Sequence, residues 1–248
     1  MIKEANGIIS YTLTRSKRKT CAIHVKDGIV DVRAPLKMPK SDIDKFVTSK
    51  EKWITNRLSL LREHKEQQES FSLNYGDSVL YCGKQYIITP SERNYIGGSF
   101  DGKIGVSNHS FYIPPNLSSE QIKHACVQIY RILAKSDLTI KVYDYASKMV
   151  VMPTAVKING ATTQWGSCSV RMGTPQTPPR KNLNFSWRLI MADDEVIDYV
   201  VVHELAHIIE MNHSARFWAI VEKILPDYRE RQSRLKELQK KLNVENWE

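Results

Sequence analysis

The sequence predicts an α+β protein, with a β-rich region over residues 1–115 followed by a domain over residues 116–248 that carries the chemistry. Three observations predict it. Alternating apolar runs separated by Asp-Gly and Gly-Gly turns crowd the first part. A single apolar-periodic segment of about thirty residues follows Pro114-Pro115. Finally, residues 201–218, VVHELAHIIEMNHSARFW, place three histidines and two glutamates in an otherwise mostly apolar stretch.

The elements follow in order. IISYTLTRS (8–16) and KTCAIHVKDGIVDVRAP (19–35) read as strands, the second run folding on itself at Asp27-Gly28. Pro35 and Pro39 separate them from one helix over 41–67, with Ser41 expected as its N-cap. SVLYCGKQYIITP (78–90) and SFDGKIGVSNHSFYIPP (99–115) read as further short strands, with turns at Gly83, Gly97-Gly98 and Asp101-Gly102. Ser118 or Ser119 caps a long helix to about Met149, apolar at Ile122, Ala125, Cys126, Ile129, Ile132, Leu133, Leu138 and Val142. Two more strands, 154–169 and 182–191, flank a Pro-rich loop. A histidine-bearing helix from about Asp194 to Met211, a short helix through SARFWAIVEKIL, and a charged helix after Pro226 complete the chain.

Composition narrows the function. No window reaches the length of uncharged apolar sequence that a membrane span needs, and no secretory leader pattern opens the chain, so a cytoplasmic protein is expected with no membrane partner. The four cysteines are scattered singly, which excludes a Cys-based zinc knuckle or a dithiol redox pair. A net charge of +9 attracts anions, and its densest run, RSKRK at Arg15–Lys19, is a candidate nucleic-acid contact in the N-terminal region.

His203 and His207 are four residues apart, so on a helix they project from one face a turn apart and can grip one ion. Glu204 lies about 100° round the helix, where it reaches a water on that ion without being a ligand. The apolar run Val196, Ile197, Val200, Val201, Val202 implies that this helix is buried, and three ionisable groups there need partners. A catalytic zinc takes three protein ligands and keeps one position open. His213 is the favoured third ligand, provided the chain breaks after the helix, for which Asn212 could adopt the left-handed conformation. Glu222 is the second choice. Glu210 is the third, with an alternative role in holding a ligand histidine. His24, His64, His109 and His124 are read as structural or surface residues.

QWGSCS (164–169), NLNFSWRLI (182–190), IDYVVVHELAH (197–207), NHSARFW (212–218) and LPDY (225–228), together with RSKRKTCAIHVKDGIVDVRAP (15–35), resemble the YgjP-like metallopeptidases, a family related to the SprT-like and WLM-type zinc proteases. The resemblance covers nearly the whole chain. It implies a zincin-like metallopeptidase domain built on the HExxH helix and a small antiparallel sheet, one Zn2+ ion on His203, His207 and His213, Glu204 as the catalytic residue, and the WGSC strand bordering the cleft. Gln164 stands where the family commonly has Arg, and the loop 170–181 is longer than usual.

The expected activity is zinc-dependent hydrolysis of a peptide or protein substrate, with Glu204 activating a zinc-bound water. Trp165, Gly166 and Ser167 are the expected substrate-binding residues, since glycine on a strand lets a peptide backbone approach. Trp187 and Trp218 are expected to pack around the site, and Tyr199 or Tyr228 could stabilise an oxyanion. Three alternatives stand beside it: a zinc-dependent hydrolase of a nucleotide or phosphate ester, a protease recruited to nucleic acid, and a binding module with a structural zinc.

Overall fold

The computed structural model describes residues 2–5, 9–92, 104–174 and 179–247, and the side chains of all of these but 2–5. The expected turns at Gly97-Gly98 and Asp101-Gly102 lie outside them. The chain forms two compact units, one of residues 1–71 with 243–246, the other of 72–242 with 247–248.

In the first unit, strands β1 (Ile2–Ala5), β2 (Ile9–Ser16), β3 (Ala22–Lys26) and β4 (Ile29–Pro35) form a sheet in the order β1-β2-β4-β3. Asp27 and Gly28 both take positive φ, 51° and 75°, the backbone of a two-residue hairpin turn that sets the register Lys26↔Ile29. Alternation along β4 turns Val30, Val32 and Ala34 inward against Ile43, Val47 and Ile54. The expected single helix is two, α1 (Lys40–Ser49) and α2 (Glu51–Ser70), broken at Lys50, whose φ of −108° and ψ of 10° leave the helical region. Pro39, not Ser41, is the N-cap of α1, and no side chain caps it. Arg15 of the basic run is spent internally, its guanidinium donating to the carbonyls of Pro35, Leu36 and Met38 at 3.0, 3.0 and 2.7 Å.

The second unit contains β5 (Ser78–Tyr81), β6 (Lys84–Pro90), β7 (Gly105–Ser107) and β8 (Ser110–Ile113), ordered β5-β6-β8-β7. The sequence places the domain boundary near residue 115, but the structure divides after Phe71, because this sheet shares a core with residues well beyond 115. Phe111 of β8 meets Tyr130 at 5.2 Å between ring centroids, Tyr130 stacks on Trp187 at 5.4 Å, and the Tyr130 hydroxyl donates to the Leu80 carbonyl at 2.6 Å. Trp187, expected near the site, lies in this core.

Helix α3 (Ser119–Met149) begins at Ser118 with a full capping box, Ser118 Oγ accepting from the Gln121 N–H and the Gln121 side chain accepting from the Ser118 N–H. Its buried positions include the small residues Ala125, Ala134 and Ala146, and it packs against the helix α4 (Asp194–Ala206). Strands β9 (Ala155–Asn159), β10 (Gly166–Arg171) and β11 (Arg180–Ser186) form the third sheet, ordered β10-β11-β9. This sheet is mixed, not antiparallel as expected. β10 and β11 make an antiparallel hairpin, but β11 inserts between β10 and β9 and so runs parallel to β9. A 3-10 turn (Trp187–Met191) leads into α4, and α5 (Ala215–Ile224) and α6 (Tyr228–Leu242) come after it.

The start of α4 is fixed from the β5–β6 hairpin. Cys82 and Gly83 have φ of 47° and 72°, and their N–H groups donate to the carbonyls of Ile190 and Met191 at 2.8 and 3.3 Å. A Cβ on Gly83 would fall 1.8 Å from Asp193 Oδ1, so only glycine allows both the turn and the contact. No helix among the described residues is long and apolar enough to cross a membrane.

α3 ends on Val150, a β-branched residue held at φ 54° and 91% exposed. That conformation disfavours a branched side chain, and nothing at so exposed a position compensates for it. Val150→Gly should therefore raise stability by about 1 kcal/mol, read as an increase in the thermal unfolding midpoint.

Candidate metal centre

Nine of the thirteen residues of α4 are buried, including Val196, Ile197, Val200, Val201, Val202 and Leu205. Such a helix is apolar on nearly every side, and it packs against α3, α5, α6 and β10. His203 and Glu204 sit in its last turn, Glu204 only 5% exposed.

The helix ends sooner than the sequence suggests. His207 is its C-cap, and Ile208 and Ile209 donate to the carbonyls of Leu205 and Ala206 at 3.0 Å each, tightening the final turn before the chain leaves the axis. Asn212 is not among the residues with positive φ, so the reversal is made by this tight turn and by the Ser214 N–H donating to the Asn212 carbonyl at 2.7 Å. Ser214 then caps α5 through the Phe217 N–H at 3.3 Å. The return brings His213 Nε2 to 3.0 Å from His203 Nε2.

The structure thus brings all three histidines together. Their ligand atoms lie within 4.8 Å of one another, and this is the cluster among the described residues that could share a metal ion. Glu222 is exposed on α5 and does not join it. The Glu210 carboxylate also stands apart, 4.0 Å from Arg216. The backbone carbonyl of Glu210 instead accepts from His207 Nδ1 at 3.2 Å, which leaves the lone pair on Nε2.

Burial sets the protonation of the group. It pulls His203 down to about 3, with His207 and His213 adding their repulsion, and it also lowers His207. Neutral imidazoles with inward lone pairs are metal ligands. Burial pushes the Glu204 carboxyl up to about 8. Two buried atoms here, His203 Nδ1 and Glu204 Oε2, have no hydrogen-bond partner. A buried carboxyl oxygen without a partner is costly, and a cation held on the neighbouring imidazoles would offset that cost; His203 Nδ1, on the side of the ring away from its Nε2 contact, keeps the ring proton. The residues therefore fit a metal ion.

Two features of the site escape sequence reasoning. Phe217, fully buried, lies under the whole trio, with its ring centroid 4.9, 4.5 and 4.8 Å from those of His203, His207 and His213. The only signal for it was its place as the first buried position of the amphipathic helix α5. Trp218, as expected, packs beside the site, 5.7 Å from His213, and stacks on Tyr228 at 5.2 Å. The second feature is Gly166. The space over it is taken by Glu204, whose Cγ would stand 2.7 Å from a Cβ at that position. Its lack of a side chain thus seats the glutamate against β10, a use different from the peptide approach expected of it.

A cleft of about 380 Å³ opens over this group, lined by Gln164, Trp165, Gly166, Ser167 and Cys168 on one side and by α4 with His213 on the other. Trp165 and Ser167 thus border it with Gly166. Burial, reinforced by Glu204, pushes the Cys168 thiol up to about 11, which rules it out as a nucleophile near neutral pH. Tyr199 lines the cleft, and burial raises its hydroxyl to about 12.

A model of the YgjP-like metallopeptidase domain matches residues 19–238. No curated protein and no solved structure matches the chain.

If Glu204 rests on the bare backbone of Gly166, Gly166→Ala should destabilise the protein by about 1–3 kcal/mol. Glu204→Ala in the same chain should recover most of that loss. Chemical denaturation of the two single variants and the double variant measures the coupling, and strictly additive losses would show that the two residues do not press on each other.

Proposed function

The chain belongs to the YgjP-like metallopeptidase family, and from that premise we propose that it is a zinc-dependent peptidase of the cytoplasm. The observation that carries this reading is the convergence of three imidazoles beside a buried carboxylate at the floor of an open cleft. His203, His207 and His213 would hold the ion. Zinc there supplies the Lewis acidity that lets water attack a carbonyl near neutral pH. The four free cysteines support a reducing compartment.

Glu204 is the proton carrier. A cation on the three imidazoles would favour the ionised form of this buried carboxyl, which could then take a proton from the attacking water and return it to the leaving amine. The substrate lies along β10. That strand is an edge of its sheet, so its outer backbone groups can pair with an extended peptide while Trp165 and Ser167 contact side chains. Tyr199, held protonated by burial, is the better placed of the two tyrosines to donate to an oxyanion, because it lines the cleft while Tyr228 is engaged with Trp218 and Arg229.

No Lys or Arg lines the cleft among the described residues, which disfavours nucleotides and phosphate esters as substrates. A carboxylate beside an open metal position likewise argues against a purely structural zinc.

Metal analysis of purified protein, together with mass-spectrometric mapping of new peptide N-termini in a treated cell lysate, tests the proposal. Glu204→Gln should keep one zinc per chain and lose cleavage by about 10²–10⁴-fold. His213→Ala should lose the metal. Full turnover in Glu204→Gln would sink the mechanism.

Recruitment to nucleic acid is a second reading, favoured by one surface of the first unit. α2 exposes Trp53 and Arg57, a turn apart on one face, next to exposed Lys50 and Lys52. An aromatic ring among cations suits the stacking of single-stranded bases. The protein should then be retained on immobilised single-stranded DNA at low salt and released as salt rises, with Trp53→Ala and Arg57→Glu each weakening retention. Absence of retention at low salt removes this reading.

A further inference from the structure

The cleft continues past Glu204 and the histidines into a part with a different chemistry. Its walls there are Tyr199 and Val200, one turn earlier on α4, and Leu235 of α6. Tyr199 and Val200 are each 3% exposed, while Leu235 is half-buried. Gln232, also on α6, is near enough to the Tyr199 hydroxyl to offset part of the effect of its burial. That helix is tied to the start of α4 by Arg234, whose guanidinium donates to Asp193 at 2.6 Å and to Glu195 at 2.5 Å. This end of the cleft is therefore preformed.

Among the described residues, the cleft carries no ionisable lining group besides the histidines, Glu204, the Cys168 thiol and the Tyr199 phenol. A charged side chain entering between Tyr199, Val200 and Leu235 would be desolvated with no counter-charge, whereas an apolar one would exchange water for apolar contact. Val200 precedes Glu204 by four residues, about 6 Å along the helix axis. An extended peptide advances about 3.3–3.6 Å per residue, so this wall lies within two residues of a bond held at Glu204.

We propose that Tyr199, Val200 and Leu235 form a specificity subsite that seats a large apolar side chain, of the Leu, Met or Phe kind, within two residues of the scissile bond. The inference rests on the peptidase reading, and the experiment separates the two. A proteome-derived peptide library is treated with the zinc-loaded protein and the cut sites are mapped for wild type, Leu235→Met and Leu235→Arg, with circular dichroism confirming that the variants fold. Wild type and Leu235→Met should favour an apolar over an acidic residue at one position beside the cut by about ten-fold. Leu235→Arg should abolish that preference or turn it toward acidic residues.

In parallel, the same library is passed over immobilised Glu204→Gln protein with and without Leu235→Arg, and retained peptides are sequenced. Apolar enrichment that disappears with Leu235→Arg supports the subsite even where nothing is cut, a result that would count against the peptidase reading alone. Cutting without any apolar preference, or equal enrichment on both immobilised proteins, overturns the subsite.

Discussion

Everything at this site depends on one constraint: a helix buried on almost every side has to carry ionisable groups in its last turn. α4 solves this by placing its charges at its ends. At the start, Asp193 and Glu195 meet Arg234, and Lys141 reaches Asp198 at 2.7 Å and Asp194 at 3.3 Å. After Asp198 the middle is apolar, Val200, Val201 and Val202 following Tyr199. At the other end, His203 and Glu204 turn toward the cleft, and Phe217 closes the far side of the imidazoles. The β5–β6 hairpin, the 3-10 turn and the Arg234 pairs all act on the start of the helix, so they determine where its last turn falls.

The same burial that makes these groups costly makes them useful. Imidazoles kept neutral offer lone pairs, and a carboxyl raised toward neutral pH exchanges protons readily. Had β10 carried any side chain at position 166, Glu204 would have been pushed away from the strand and out of this environment. The glycine and the glutamate are 38 residues apart in sequence, from 166 to 204, and only the packing of α4 on β10 joins them.

That separation explains what could be read from the sequence. Features encoded within a few residues were legible: the four-residue spacing of His203 and His207, the Asp27-Gly28 turn, and a serine cap at 118 or 119, which the structure gives to Ser118. His213 was a spacing argument that needed a chain reversal, and the structure supplies the reversal by another route, tight turns after Ala206 in place of a left-handed Asn212. Features that arise only from tertiary packing were not legible. The boundary near residue 115 failed because the partners of Phe111 are Tyr130 and, beyond it, Trp187, far along the chain. Phe217 looked like any core aromatic, and the expected antiparallel third sheet failed because strand insertion leaves no local mark.

Net charge is another property that the sequence reports without its location. The chain is +9 overall, which invites thoughts of anionic substrates. Yet the described lining of the cleft contains a carboxylate and three imidazoles, two of them held neutral by burial, and no Lys or Arg. Several basic side chains are engaged elsewhere: Arg15 on backbone carbonyls, Arg33 on Asp31, Lys40 on Asp44, Arg234 on the acidic start of α4. Long-range attraction of an anion and recognition inside the cleft are therefore separate physical functions in this protein. An anion drawn by the surface meets no Lys or Arg in the described lining of the cleft, and under the proposed peptidase reading shape, backbone pairing along β10 and apolar contact would do the discriminating there.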